Sequence, residues 1–228
     1  MKKILFIIAI FFAIPSIAQD GKIFFETNHN TFSHSNLSDF QQEFVSDLPE
    51  ELPIATTDDF PANIGFTLGY EFVDRNTSFF ISYNATGGKL SYTDFSGVIR
   101  LEQQLRGVTF GGVYLLNLDE EAHFKLGFRG LITFSSLNID SYFELQNNID
   151  QDELSFSSTD LGLGISLIYE YPVSFFVVRA QIGFDAVFGG KLYFDNIDNA
   201  HLINNSGEDV KTGWSGFRSG LGIAIPVF

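Results

Sequence analysis

The 228-residue chain has no cysteine, one tryptophan, one methionine and only 13 lysines and arginines. Without cysteine there is no disulfide framework, no thiol chemistry and no thiolate metal site. The 13 basic residues face 28 acidic ones, for a formal net charge of −15. That balance excludes the basic footprint a nucleic-acid binder needs. After the first 14 residues no apolar run approaches 18 residues, so no transmembrane helix is encoded. What the chain has in excess is phenylalanine, 27 residues. A soluble domain of this size would struggle to hide them, whereas a lipid-facing wall would not.

The N-terminus reads as a secretory leader. Lys2 and Lys3 precede the apolar run Ile4 to Ile14, Pro15 ends it, and Ser16-Ile17-Ala18 offers small residues ahead of Gln19. The run is too short to span a bilayer as a helix, which takes about 20 residues. No cysteine follows it, so a lipid anchor is excluded. The expected domain organisation is a cleaved signal peptide over 1–18 and one barrel domain over 19–228. Loss of Lys2 and Lys3 takes the net charge from −15 to −17.

The C-terminus is the most informative stretch. In residues 216–228 one parity carries Phe217, Leu221, Ile223, Ile225 and Val227, and the other carries Gly216, Arg218, Gly220, Gly222 and Ala224. A strand puts alternate side chains on opposite faces. A bulky apolar face opposite a face of glycine, alanine and charge suits a barrel with lipid outside and a crowded lumen inside. Seven further segments alternate in the same way, near Lys22–Asn28, Asn63–Phe72, Ser78–Tyr92, Ile99–Asn117, His123–Asn138, Thr159–Tyr171 and Phe175–Phe194. Gly87 and Gly88 predict a bulge or bend in the third. Short connections near 73–77, 118–122 and 172–174 alternate with long ones near 29–61, 140–156 and 195–212, apart from a tight hairpin near 94–97. Short periplasmic turns and long outer loops give this asymmetry.

The fold class expected is therefore all-β: an eight-stranded antiparallel up-and-down transmembrane β-barrel, with a short amphipathic helix in the first outer loop. The helix is placed over 35–52, from Leu37, Phe40, Phe44 and Leu48 at helical spacing, with Ser35 or Ser38 as its cap. The lipid-facing set includes Phe66, Phe128, Ile165, Phe184, Leu221, Ile223 and Ile225. The inward set includes Glu71, Lys125, Arg129, Asp160, Glu170, Arg179, Asp185 and Arg218. Eight strands leave an interior just wide enough for side chains to fill. Nearly balanced charges there predict a salt-bridge network that plugs the lumen, with a polar path for small solutes as the alternative.

Motifs for chemistry are sparse. His29 and His34 lie five apart, His123 falls at a periplasmic turn, and His201 is in the last outer loop. None of these matches a metal-ligand spacing. The Asp-rich pieces at 147–153 and 195–199 lack the EF-hand spacing for calcium. No Gly-x-Ser-x-Gly elbow is present. No catalytic, cofactor-binding or metal-binding residue is expected. An enzyme acting on lipid at the rim is a third reading, and it would need a Ser–His pair in the outer loops. A soluble lipocalin-like barrel would need every face reversed.

With leader, alternation, loop asymmetry and terminal Phe228 in view, the chain resembles small outer-membrane β-barrel domain proteins of Gram-negative bacteria. The PorT-like group and the OmpA/OmpX-type eight-stranded barrels are the nearest. The resemblance covers about Gly21 to Phe228 and implies an integral outer-membrane protein with a structural or interaction role through its outer loops. Its implied partners are outer-membrane lipid and a protein or small ligand at the acidic loops, with the barrel itself monomeric. A PorT-like resemblance would also imply a link to protein secretion. Two departures stand out. Phe228 falls out of phase with the apolar face, for which a twist or bulge at Pro226 would compensate, and no peptidoglycan-binding domain follows the barrel.

Overall fold

The computed structural model describes residues 20–46, 55–93, 97–145, 148–197 and 199–227. The expected leader, Leu48 of the helix, the tip of the 94–97 hairpin and Phe228 lie outside them. The elements are β1 (Gly21–Phe32), α1 (Ser35–Ser46), β2 (Ala55–Asp59), β3 (Asn63–Phe72), β4 (Thr77–Thr93), β5 (Gly97–Asn117), β6 (Phe124–Leu145), β7 (Asn148–Val173), β8 (Phe176–Gly189), β9 (Tyr193–Phe194) and β10 (Gly216–Val227). Eight of the strands close a ring of antiparallel pairs, in the order β1, β3, β4, β5, β6, β7, β8, β10 and back to β1. Closure leaves the ring with no unpaired edge, the condition for a sheet to exist in hydrocarbon.

Four strands outrun the membrane. A spanning strand needs about 9–11 residues, whereas β4, β5, β6 and β7 have 17, 21, 22 and 26. The β6–β7 pairing is unbroken from Phe124↔Tyr169 to Leu145↔Asn148. The long loop expected at 140–156 is thus a β-hairpin standing above the barrel. Residues 148–154 are exposed on both faces, so the sequence pattern fades there while the ladder continues.

On the protruding wall the faces exchange roles. Along β5 the outward parity runs Leu116, Tyr114, Phe110 and Val108, then turns polar at Arg106, Gln104 and Arg100. The inward parity turns apolar over the same step, at Leu105 and Leu101, both buried. In β6 the change comes between Phe134 and Leu137, and in β7 between Leu161 and Phe156. Register puts the three changes side by side, since Val108 pairs with Phe134 and Arg106 with Ser136, which pairs with Ser157. Below that line the outer face is greasy and the inside polar. Above it the protein obeys the rule for water.

The inverted region has its own core. Leu37, Phe60, Leu90, Leu101, Leu105, Leu137, Ile139, Phe156, Leu192, Val210 and Trp214 form one buried cluster over the barrel mouth. α1 lies across it, with Leu37 fully buried and Phe40 packed at its margin. Of the helix expected over 35–52, the described part runs Ser35–Ser46, and the remainder lies outside the described residues. His34, through its carbonyl, accepts from the Leu37 and Ser38 amides at the start, while the Ser38 hydroxyl donates to Asp59. Neither Ser35 nor Ser38 is needed to explain that start.

Three further expectations change. Gly87 and Gly88 form no bulge against β5, where the register runs unbroken through Gly87↔Gln104 and Gly88↔Gln103. They sit where β4 leaves β3 and takes up β2. A Cβ on Gly88 would come within 2.1 Å of the Gln41 Oε1 atom and 2.8 Å of the Phe60 ring, and one on Gly87 within 2.5 Å of the Gln103 carbonyl oxygen, so Gly88 leaves room for the cap and Gly87 for β5. Pro226 makes no bulge either, because β10 keeps register through Pro226↔Lys22 and Val227↔Gly21. The seventh strand ends at Gly189, not near Phe194, since Gly189 and Gly190 take left-handed φ of 102° and 79° and turn the chain into the cap.

Candidate functional site

Inside the barrel the inward parity of five strands supplies a ladder of charge. Glu71, Lys125, Arg129, Asp160, Glu170, Arg179, Asp185 and Arg218 are all buried. Two more residues belong with them, Lys22 and Glu26 of β1, on the same parity as Phe24 and Asn28. The alternation of Ile23 and Phe25 against Lys22 and Glu26 could have revealed them. The set then holds five cations and five carboxylates, so the lumen is neutral in a chain that is strongly acidic overall.

The lower layer converges on Arg179. Its Nε donates to Glu26 Oε1 at 2.7 Å, and its Nη1 donates to Glu71 Oε2 at 2.9 Å and Glu170 Oε1 at 2.6 Å. Lys125 donates to Glu71 and, at 2.9 Å, to Glu170, and Lys22 reaches Glu170 at 2.6 Å. The Arg179 guanidinium also stacks 4.4 Å from the Phe24 ring centroid. Gln181 donates to Glu26 and Asn28. Every carboxylate in the layer has at least two donors, which is how a buried charge is tolerated.

The upper layer is looser. Asp185 lies between Arg129 and Arg218, 3.4 Å from each. Those guanidiniums lean on Phe80 at 4.8 Å and Phe32 at 5.5 Å. Enclosed spaces of about 10 Å³ flank the layer, room for about one water each. Asp160, higher still, accepts from Thr212 at 3.0 Å, Ser158 at 3.1 Å and Ser135 at 3.5 Å, while Trp214 Nε1 donates to Ser135 at 2.7 Å. The lumen is not wholly polar, contrary to the simple parity rule. Leu115, Ile168, Leu131 and Ala224 face inward and pack with Phe24 and Phe80.

Outward, Phe66, Phe128, Ile165, Phe184, Leu221, Ile223 and Ile225 are between 40% and 64% exposed. Aromatic pairs such as Phe25–Phe66, Phe110–Phe134, Phe124–Tyr169 and Phe184–Phe217 lie on this surface. A closed barrel that is apolar outside and charged inside is a membrane-spanning barrel.

The histidines are scattered. His29 is exposed on the outer face of β1. His123 lies against Asp119 and Glu121 at a turn on the end of the barrel where β1 begins and β10 ends, and there the His123 and Phe124 amides donate to Asp119. Those amides, Phe124 first, hold the Asp119 carboxyl below the usual range. His201 contacts Asp209 at 2.9 Å, and Asp209 also pairs with Lys191 at 2.6 Å. Among the described residues no three His, Asp or Glu side chains are grouped to hold a metal ion.

His34 is the one histidine inside a core. Its Nδ1–H donates to the Thr212 carbonyl at 2.6 Å, and its ring sits edge-on to Trp214 at 5.0 Å and near Phe60 at 5.8 Å. Burial lowers its pKa, against the opposing pull of the Thr212 bond. The folded state thus resists a proton that the unfolded chain accepts below about pH 6.5. Cap stability is expected to be full above that pH and to fall as pH drops through about 6.5 toward about 5. The emission of Trp214 during denaturant titration at the two pH values measures it. An equal midpoint at both, or an unchanged slope in His34→Asn, would refute the assignment.

No family model matches the chain, and no curated protein sequence does. Solved structures share its architecture. Neisserial surface protein A is 10% identical, with 91% of this chain and 99% of that one aligned and a TM-score of 0.44. A major outer membrane protein from Thermus thermophilus gives 10%, 91%, 99% and 0.47. The outer membrane protease OmpT from Escherichia coli gives 11%, 91%, 96% and 0.35. The likeness is one of fold, and none of the three lends a residue or an activity to this chain.

Proposed function

We propose that the protein is an integral outer-membrane barrel with a structural or interaction role exercised through its outer part, and that its lumen is a plug, not a pore. The observation that carries this reading is the double seal. A neutral network of buried ion pairs fills the barrel, and a separate apolar core of eleven side chains closes the mouth above it. The outward apolar side chains, Phe66, Phe128 and Ile223 among them, face lipid.

Planar-bilayer recording of the refolded full chain is the test. A silent membrane, with the protein shown to be inserted by heat-dependent gel mobility, supports the plug. Discrete conductance steps whose ion selectivity changes in Arg218→Gln would overturn it in favour of a narrow pore.

A further inference from the structure

Above the barrel the wall is no longer closed, and β7 is its open side. Pairing of β7 with β8 begins only at Asp160↔Gly189, and pairing with β9 covers only Phe156 and Ser157. Residues 148–154 pair with β6 alone, and all seven are exposed. Ser155 gives its carbonyl to the Asp195 amide, on the side away from β6. Backbone groups in a strand alternate in direction, so Ile149, Gln151 and Glu153 turn their N–H and C=O groups the same way. Among the described residues that edge meets no other strand.

Such an edge is a template for another strand, and its charge selects what it takes. From Gly130 to Val178 the chain has no Lys, Arg or His, and the protruding hairpin carries Asp140, Glu144, Asp150, Asp152 and Glu153. A second copy pairing here would set carboxylates against carboxylates, which is destabilising. Acid on the edge therefore blocks self-association. It leaves the edge open to a strand of opposite charge.

Resting on the interaction reading above, we propose that the β7 edge over 148–154 is a docking site for an extended, lysine- or arginine-bearing polypeptide segment, added as a further strand in line with β9. Backbone hydrogen bonds would hold it, and Asp150 and Asp152 would meet basic side chains on the concave face while Glu153 meets them on the other.

The test uses the full chain in lipid nanodiscs and a fluorescent nine-residue peptide that alternates Lys with Thr and Val. Anisotropy titration is expected to show saturable binding, lost for the same peptide with Glu in place of Lys. Gln151→Pro removes an edge N–H without touching the β6 ladder, and is expected to weaken binding at least tenfold. Asp150→Lys with Asp152→Lys is expected to reverse the charge preference. Heat-dependent gel mobility confirms that each variant is a folded barrel. Wild-type-strength binding by folded Gln151→Pro would overturn strand addition and leave only charge attraction, and no binding of the Lys peptide to wild type would overturn the site altogether. Neither result touches the plug reading, which fails only if the membrane conducts.

Discussion

Arg179→Ala is expected to cost the folded barrel about 3–5 kcal/mol, the range for stripping one partner from a buried ion pair. The side chain holds three carboxylates at once, Glu26, Glu71 and Glu170. Lys125 and Lys22 remain for Glu71 and Glu170, but the Glu26 carboxylate keeps only the neutral donor Gln181. The loss is thus mainly an uncompensated charge in a nearly dry lumen, not a missing attraction. Two measurements separate these. Urea titration in lipid gives the size of the loss, and Arg179→Ala combined with Glu26→Gln should recover part of it, because the stranded charge is gone. A loss under about 1 kcal/mol, or a double variant no better than the single, would show that the network is hydrated and that the lumen is wetter than its geometry implies.

Trp214→Ala should do comparable damage in a different place, about 3–5 kcal/mol for truncating a buried tryptophan. The indole joins α1 and the β5–β6 wall. It meets Phe32 and His34 edge-on, donates to Ser135, and rests on Gly107, where any Cβ would come within 2.7 Å of its ring. Because the outer core and the apolar cluster of the lumen are two clusters with only Val187 at the margin of both, the variant should keep heat-dependent gel mobility while its cap loosens. Chymotrypsin reads the cap directly: Phe40 lies on α1, packed against that core, and should become cleavable in a barrel that still runs as folded. Loss of both properties together would mean the two parts stand or fall as one unit.

Much of this is legible in the sequence, and the reason differs by region. Strand order, strand faces and eight lumen charges follow from period-two alternation, because lipid outside and a crowded interior impose opposite demands on neighbouring residues. Leu221 and Ile223 against Gly220 and Gly222 could mean little else. The protruding wall reads as loop because its apolar residues sit on the wrong parity for a membrane strand. Leu101 and Leu105 break phase with Val108 and Phe110, and Leu137 and Ile139 with Ile132 and Phe134. That phase change, repeated in neighbouring strands at one level, marks where solvent replaces lipid. The cap is beyond reach, since Leu37, Leu192, Val210 and Trp214 are far apart in the chain and no local periodicity unites them. Partner charges Lys22 and Glu26 are within reach, since the strand expected near Lys22–Asn28 contains both in alternation with Ile23 and Phe25.

The outer core draws Leu37 and Phe60 from the chain that follows β1, and Leu192, Val210 and Trp214 from the chain that follows β8. These two segments become neighbours when β10 zips onto β1, the last seam of the ring to have both its strands synthesised. Completion of the cap therefore reports completion of the cylinder: a half-inserted chain, however many hairpins it has threaded, still shows its tryptophan to water.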